Sequence, residues 1–456
     1  MTTFTRRDFL KGVSAAGAVA GAAALGLPGC APEDRVIQPA TPRPARPILV
    51  VVFLDGGNDW LNMMPPTVGR NRAVYEAQRP RLAVPGADLV EIGPGCGLHQ
   101  DFTGMSLLSD LGRIAWVQGI GMNNPNLSHF VSQDLWGQGS AQPNGTGWLG
   151  RWADAAFDPA ADALRGVAVT GDVHVMLRGQ GRTFVSINGP SGFVYPAWLR
   201  GGRVGAPWDP ALLQAGYEAA VTAPTGGAPP GQAAAARVGK AFLDATRAFG
   251  VEGSLPARTP AVAYPGDAGY PVRRLDGGPL QSGLARQLKL VAQMIAAGLE
   301  TQVFFTRIGG WDTHANQAVD HPNLMRALGG SLSAFYDDLE TIGVGEENAQ
   351  RRTLVLVWSE FGRRVQQNQN GTDHGAAGLA FCLARGLTGG FYGDYPALDD
   401  LDGNGNMRFT VDFRSLYATV LERWMGLDAA TTDALLLQGA ARTPYPRLDF
   451  LPPVAA

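Results

Sequence analysis

The sequence contains few of the residues on which several protein classes depend. Only three of its 456 residues are cysteine, which excludes a fold stapled by several disulfides. No run of lysine and arginine occurs, and 37 basic against 40 acidic residues give a net charge of −3, so we expect no nucleic-acid partner. The glycine-rich phosphate loop G-x-x-x-x-G-K-[ST] is also missing, which leaves a nucleoside triphosphatase unsupported. Histidine is scarce, with six residues, so the position of each one is informative.

An export signal is predicted at the N-terminus. Residues 5–12, TRRDFLKG, are followed by an apolar stretch rich in glycine and alanine, the order typical of a twin-arginine signal. We therefore expect residues 1–29 to be a signal peptide, the twin-arginine translocase to be a partner, and the mature protein to be periplasmic or extracellular. The signal ends in LPGC, which resembles a lipoprotein processing box, so lipidation of Cys30 would anchor the protein to a membrane. Cleavage without lipidation is the alternative.

The chain after the signal divides into a tether and one large domain. Residues 30–47 are rich in proline and lack periodicity, which predicts an extended tether before a domain over 48–456. The region at about 200–278 contains TAPTGGAPPGQAAAA and predicts an irregular insertion. An oxidising compartment would permit a bridge between Cys96 and Cys382, but Cys382 lies in the apolar LAFCLA, which favours a buried thiol.

Buried strands are predicted where continuous apolar runs occur. The runs cover 48–54, 113–120, 166–170, 302–308 and 353–359. Apolar residues three to four positions apart predict helices from Leu284 to Leu299 and from Leu324 to Leu339. Strands that alternate with helices predict an α/β layered fold around a mostly parallel sheet.

Acidic, histidine and serine side chains follow these strands, at the edge where open parallel sheets bind ligands. They are Asp55 and Asp59 after the first strand, Ser128 and His129 after the second, Asp312 and His314 in GGWDTHANQ after strand 302–308, Glu360 at the last strand, and Asp373 and His374 one loop later. Carboxylates and imidazoles gathered at one edge are what divalent cations bind. We therefore expect a Zn, Mn, Ca or Mg ion there.

Each of these motifs also has a structural explanation. Ser128 suits the N-cap of a helix, the aspartates of LDGGND suit a turn, and Glu360 suits a buried ion pair with Arg363. An Asp-x-His pair is common in surface turns. The recurrence of such motifs at five strand ends favours the metal site over five separate structural explanations.

The motifs resemble a known family. LDGGNDWLN, LSHF, TGWLGRW, GGWDTHANQ, SEFGR, GTDHG, GGFYGDYP and VDFRSLY occur in this order over residues 48–426, as in the exported bacterial family called domain of unknown function 1501. That family is grouped with the alkaline-phosphatase-like superfamily of sulfatases, phosphodiesterases and cofactor-independent phosphoglycerate mutases. The resemblance implies a three-layer α/β sandwich with metal ligands at the carboxyl ends of strands.

The resemblance also implies roles for single residues. The implied metal ligands are Asp55 or Asp59, Asp312, His314, Glu360, Asp373 and His374. Ser128 would be the nucleophile beside His129. Arg363, or alternatively Arg364 or Arg151, would hold the oxygens of the ester. The chain departs from the superfamily where Phe361 follows Glu360, because a histidine is usual there.

Together these observations predict an exported metal-dependent hydrolase of phosphate or sulfate esters, with a small-molecule or glycan ester as substrate. The alternative is a non-catalytic periplasmic binding or assembly protein that retains a degenerate site, because the histidine after Glu360 is missing. A metal-free serine hydrolase is disfavoured, since no G-x-S-x-G elbow surrounds Ser128.

Overall fold

The structure is a computed structural model that describes most of the chain. The described residues are 46–140, 145–157, 163–180, 184–189, 210–223, 255–344, 347–437 and 443–453, with five single positions between 232 and 243. The predicted signal peptide over 1–29, the predicted lipidation at Cys30 and the tether up to residue 45 lie outside them. None of the described helices has the length and apolar character needed to cross a bilayer.

Strands are numbered in chain order. The described residues form β1 (Ile48–Asp55), β2 (Leu89–Gly93), β3 (Cys96–His99), β4 (Ile114–Gly121), β5 (Gly166–Ala168), β6 (Val185–Ser186), β7 (Val303–Gly309), β8 (Gly343–Val344), β9 (Glu347–Asn348), β10 (Thr353–Trp358), β11 (Gly362–Gln367), β12 (Thr372–Gly375), β13 (Gly378–Leu383), β14 (Gly390–Tyr392) and β15 (Val411–Asp412).

Helices are numbered in the same way. They are α1 (Trp60–Met63), α2 (Gly69–Gln78), α3 (Met105–Asp110), α4 (His129–Gln138), α5 (Trp148–Ala156), α6 (Pro210–Thr222), α7 (Gly283–Ala296), α8 (Gln317–Glu340), α9 (Ala349–Arg352), α10 (Phe413–Thr419) and α11 (Ala429–Leu436).

One large sheet forms the centre of the fold. Its strand order is β14-β4-β13-β10-β1-β7-β5-β6, and β15 also pairs with β4. The strands from β10 to β6 pair in parallel, whereas β13 is antiparallel to both β10 and β4. Strand β4 therefore runs in the direction of β1. The predicted α/β fold with a mostly parallel sheet is confirmed, and β13 is its antiparallel member.

Helices cover both faces of the sheet because the side chains of β1 alternate between two cores. Val50 and Val52 belong to the core that contains residues of α7 and α8. Val51 and Phe53 belong to the core that contains residues of α4, α5 and α10. Every residue from 48 to 54 is buried, as expected for a strand covered on both faces. The result is the predicted three-layer sandwich.

The described part of the predicted insertion at about 200–278 consists of α6, residues 255–278 and the single positions between them. These described residues contribute no strand to the large sheet, and the domain boundaries remain a prediction. Cys96 and Cys382 are both buried thiols without a disulfide, which agrees with the interpretation of Cys382 from its apolar neighbours.

Candidate metal centre

The topology brings several loops to one edge of the sheet. The carboxyl ends of β1, β4, β7 and β10 meet there because these strands run in one direction, and the antiparallel β13 begins there. The side chains delivered to this edge are Asp55 at the end of β1, His129 at the start of α4, Asp312 and His314 after β7, Glu360 after β10, and His374 in β12.

Three of these side chains converge on a common point. The donor atoms of His129, Asp312 and His374 all lie within 4.8 Å of one another. The Nε2 atom of His374 is 3.1 Å from Oδ1 of Asp312, and Nε2 of His129 is 3.4 Å from Oδ2 of the same carboxylate. Donors around a tetrahedral zinc ion, with bonds of about 2.0–2.2 Å, are separated by about 3.3 Å. The two separations from Asp312, which involve its two different oxygens, are close to this value, so the cluster is a candidate metal site.

The two imidazoles are held in the tautomer that metal binding requires. Nδ1 of His129 lies 2.8 Å from Oε1 of Glu360, and Nδ1 of His374 lies 2.8 Å from the Leu127 carbonyl oxygen. Because both partners only accept, we assign the ring protons to Nδ1, which leaves a lone pair on each Nε2. Nε2 of His129 is buried and has no hydrogen-bond partner within the described part of the chain.

His314 places a further nitrogen beside two members of this cluster, Asp312 and His374. Its Nε2 atom is 2.9 Å from Nε2 of His374 and 3.1 Å from Oδ1 of Asp312. Its Nδ1 atom lies 3.2 Å from Oδ1 of Asp373, which orients the ring. The structure thus brings together Asp312, His314 and His374, three of the predicted ligands. Asp373 contacts the Nδ1 atom of His314, on the side of that ring that faces away from Asp312 and His374.

Glu360 also lies outside the point of convergence. Its side chain is fully buried, and its carboxylate accepts the backbone N–H groups of Gly56 at 3.0 Å and Gly57 at 3.1 Å. The Ser359 hydroxyl donates to it at 3.1 Å. These donors fix the carboxylate behind His129. The structure therefore gives Glu360 the position of a partner that orients a ligand, which differs from the predicted direct ligand.

The electrostatics favour the protonation states that metal binding needs at Asp312 and His374. Burial opposes ionisation of Asp312, but the hydrogen bond and the charge of Arg363 outweigh it and hold its pKa at about 2. Burial lowers the pKa of His374. The hydrogen bond to Glu360 instead raises the pKa of His129. As the pH falls, protonation of His129 therefore begins to compete with metal binding at a higher pH than protonation of His374 does.

Asp55 lies beside Glu360 and is linked to it by Gln133. Nε2 of Gln133 donates to Oδ1 of Asp55 at 2.8 Å and to Oε1 of Glu360 at 3.3 Å. Burial, together with the charge of Glu360, raises the pKa of Asp55. Sequence reasoning missed Gln133, although its position four residues after His129 places both on one face of α4.

Asp59 takes part in a buried ion pair. Asp59 and Arg79 are both 0% exposed. The guanidinium donates to both carboxylate oxygens, at 2.6 and 2.9 Å, and Gln317 donates to one of them as well. Burial opposes ionisation, but Arg79 outweighs it and lowers the pKa of Asp59. Both oxygens of Asp59 are therefore engaged by hydrogen bonds, and its predicted role as a metal ligand stays a prediction.

Arg363 is also buried, and its guanidinium is already occupied. It donates to Oδ1 of Asp312 at 2.6 Å, to the Gly57 carbonyl at 2.6 Å and to the Thr372 carbonyl at 2.8 Å. Its position is that of a support for Asp312, which differs from the predicted clamp on an ester. Ser128 is exposed at the N-cap position of α4 and makes no capping bond with its side chain. Its predicted role as nucleophile stays a prediction.

Phe361 supports the two histidines where a histidine was expected by resemblance. Its buried ring lies 5.0 Å from the ring of His129 and 4.6 Å from that of His374, measured between centroids. Gly57, with φ of +73°, makes this possible, because a β-carbon at that position would overlap the Phe361 ring. Gly57 of the LDGGND turn therefore contributes to the site by leaving room for the Phe361 ring.

Comparisons with known proteins agree with the motifs over part of the chain. Residues 278–436 match the family described as "Protein of unknown function (DUF1501)", a range that includes Asp312 and His374 but not His129. No curated protein matches the chain. Among solved structures, the 2-O GAG sulfatase BT1596 is similar at 12% identity with a TM-score of 0.28, a match that covers 76% of this chain and 65% of the sulfatase chain. This chain thus spans just under two thirds of the sulfatase, and a TM-score this low carries no argument about activity. Over residues 278–436, the chain is therefore similar to the proteins of unknown function of the family DUF1501.

Proposed function

We propose that the protein is a metal-dependent hydrolase of phosphate or sulfate esters whose metal is held by His129, Asp312 and His374. The observation that carries this proposal is the buried Nε2 atom of His129, which has no hydrogen-bond partner among the described residues and faces the Asp312 carboxylate at 3.4 Å. Burying a polar atom without a partner costs about 1–3 kcal/mol. A cation at this point would satisfy that atom.

The donor set indicates which cation fits. Imidazole nitrogens and one carboxylate suit zinc or manganese better than calcium or magnesium, which prefer shells made of oxygen. When bound, the ion would polarise an ester oxygen and stabilise the charge that develops on it. Side chains of the protein would orient the metal ligands. Arg363 donates a hydrogen bond to Asp312, and Glu360 accepts one from the ring of His129.

Ser128 is the nucleophile in this proposal. It directly precedes His129 and stands at the N-terminus of the ten-residue helix α4, where the helix dipole favours negative charge on a hydroxyl or on an ester oxygen. The substrate would be a small-molecule or glycan ester. Phe130, with 84% of its surface exposed, follows His129 and offers an apolar face to such a substrate.

Replacing Phe130 by alanine tests this contact with the substrate. We expect KM to rise for substrates with a bulky ring and to change little for small esters, while metal content stays the same. Val68→Ala, another exposed apolar position, serves as the control. An equal effect on all substrates would contradict a substrate-facing role for Phe130.

A second candidate is a metal-binding or assembly protein without ester turnover. The observation that favours it is Arg363, since its guanidinium already donates to Asp312 and to backbone carbonyls. This buried cation is therefore committed to the fold, and an ester would have to be held by other groups. The donor atoms of His129, Asp312 and His374 serve equally well in such a protein.

One experiment distinguishes the two candidates. The exported full-length protein is purified, its metal content is measured by mass spectrometry, and aryl phosphate, phosphodiester and sulfate esters are tested as substrates. Asp312→Asn and His374→Ala should lose the metal, whereas Asp276→Asn, at an exposed carboxylate, should keep it. Turnover that disappears with the metal supports the hydrolase. Stoichiometric metal without turnover supports the second candidate, and a wild-type protein that retains no metal refutes both.

We also propose export through the twin-arginine pathway to the periplasm or cell exterior, with anchoring through Cys30. The proposal rests on TRRDFLKG and LPGC in the sequence. Replacing Arg6 and Arg7 by lysine should leave the protein in the cytoplasm. Mass analysis of the mature N-terminus shows whether Cys30 carries lipid, and an unmodified start downstream of Cys30 would contradict the anchor.

A further inference from the structure

A cavity of about 820 Å³ lies against β4 and shares no lining residue with the metal centre. Small and apolar residues dominate its wall, including Pro66, Cys96, Phe391 and Tyr395. Pockets of about 300–1,000 Å³ with apolar walls and few polar groups are typical of small-molecule sites. The polar groups in the wall therefore decide which ligand fits.

Gln118 is a buried polar side chain of this wall that has only weak side-chain hydrogen-bond partners. It projects from β4 and is only 5% exposed. Its Nε2 atom reaches two sulfur atoms, Sδ of Met64 at 3.5 Å and Sγ of Cys96 at 3.9 Å, and sulfur is a weak acceptor. Across the described ranges, no hydrogen bond to its Oε1 atom is found.

Two neighbouring polar groups of the wall, Asn71 and Tyr395, have hydrogen-bond partners. Nδ2 of Asn71 donates to the Pro396 carbonyl at 3.1 Å, and its Oδ1 accepts from the Leu398 backbone at 3.0 Å. The Tyr395 hydroxyl donates to the Met64 carbonyl at 3.1 Å, so its ring serves as an apolar surface. Gln118 thus remains as the buried group with capacity for a ligand.

The aromatic part of the wall is rigid. Phe391 belongs to β14, which pairs in parallel with β4 opposite Trp116. Its ring packs on Gly93 so closely that a β-carbon there would overlap it. A fixed aromatic wall favours a ligand whose ring packs against its face or its edge.

We propose that this cavity binds a ring compound with a lactam edge, in which a C=O and an N–H stand side by side. The carboxamide of Gln118 presents its own acceptor and donor side by side, so a lactam forms two hydrogen bonds with it at once. Phe391 and Tyr395 contact the ring. This binding site is independent of the metal centre and of the proposed hydrolase activity.

The test compares two probes that differ by one hydrogen-bond donor. Saturation-transfer NMR measures binding of 2-piperidone and of N-methyl-2-piperidone, which lacks the N–H, to the full-length protein. We expect 2-piperidone to bind about tenfold more tightly, the change that one hydrogen bond of ordinary strength produces. Gln118→Met preserves the volume of the side chain, and in this variant the two probes should bind equally.

A second readout localises the ligand. Cys96 lines the cavity, whereas Cys382 is fully buried within the sheet, so 2-piperidone should slow iodoacetamide labelling of Cys96 without affecting Cys382. Phe391→Leu should weaken both probes and is the reserve variant if Gln118→Met does not fold. Absence of binding by 2-piperidone, equal binding of the two probes to wild-type protein, or a preference that survives in Gln118→Met would overturn the proposal.

Discussion

Replacing Glu360 by glutamine removes a charge from behind the metal centre with little change of shape. The carboxylate accepts from Nδ1 of His129 at 2.8 Å and from the backbone of Gly56 and Gly57. Glutamine has one accepting oxygen, so its NH₂ group would face a donor, and either the ring or a glycine loses its partner. We expect metal binding to weaken because His129 becomes less basic and less firmly oriented.

The magnitude follows from the position of Glu360 as an outer partner of a ligating histidine. Loss of such a partner typically costs about 10–100-fold in metal affinity. This corresponds to about 1.4–2.7 kcal/mol of binding free energy. Direct ligands should matter more, so Glu360→Gln should fall between wild-type protein and Asp312→Asn.

Glu360→Gln should also change the pH at which the metal is released. This change should favour metal binding by the variant at low pH, although its affinity at high pH is weaker. Metal binds neutral His129, so affinity falls as the pH drops through the pKa of this ring. Glu360 raises that pKa, and wild-type protein should therefore begin to release metal at a higher pH than an ordinary histidine site. In Glu360→Gln the pKa of His129 falls, which moves the release to lower pH. The variant should bind more weakly above the pKa and yet resist acidification better.

Competition with a fluorescent chelator at several pH values measures both effects. Glu76→Gln makes the same chemical change at an exposed carboxylate that pairs with Arg72, and it should behave as wild type. Urea unfolding of the metal-free proteins shows whether Glu360→Gln is folded. Unchanged metal affinity in a folded variant would refute the assignment of Glu360 as the partner that orients His129, and a release midpoint that does not move would refute its effect on the pKa.

Two further variants test the support of the site. Arg79→Met leaves Asp59 buried without its cation, so we expect the free energy of unfolding to fall by about 3–5 kcal/mol in urea titrations, and an unchanged midpoint would contradict the ion pair. Gly57→Ala places a β-carbon against Phe361 at a positive φ, and should lower stability by about 1–3 kcal/mol and weaken metal binding. Gly69→Ala, with a similar φ of +71° but open space around it, isolates the backbone cost, so equal losses in both variants would exclude the clash with Phe361.

Much of the fold followed from local patterns. The run ILVVVFL predicted a strand buried on both faces, and β1 has that structure. The 3–4 spacing from Leu324 to Leu339 predicted the apolar face of α8, which the structure begins earlier, at Gln317. Strand β13 was not among the predicted strands, because its short apolar run has no periodicity that separates a strand from a buried helix.

The site was predictable in part. Asp312, His314 and His374 follow predicted strands in polar turns, and the structure brings their donor atoms together. The predicted position of Glu360 among the ligands differs from the structure for a physical reason. Backbone N–H groups from the β1 loop capture its carboxylate, and no pattern around SEFGR reports a contact with residues some 300 positions away.

Apolar periodicity and turn chemistry act between near neighbours in the chain, so local sequence was enough to predict the main buried strands, two long helices and the polar residues at the strand ends. Which of those residues lie close together depended on the tertiary structure. Asp59 and Asp312 both follow a buried strand, yet Arg79 engages both oxygens of Asp59, while Asp312 meets His374 across the sheet edge. Such partners are chosen by packing between distant segments, and the direction of a carboxylate depends on which donor reaches it.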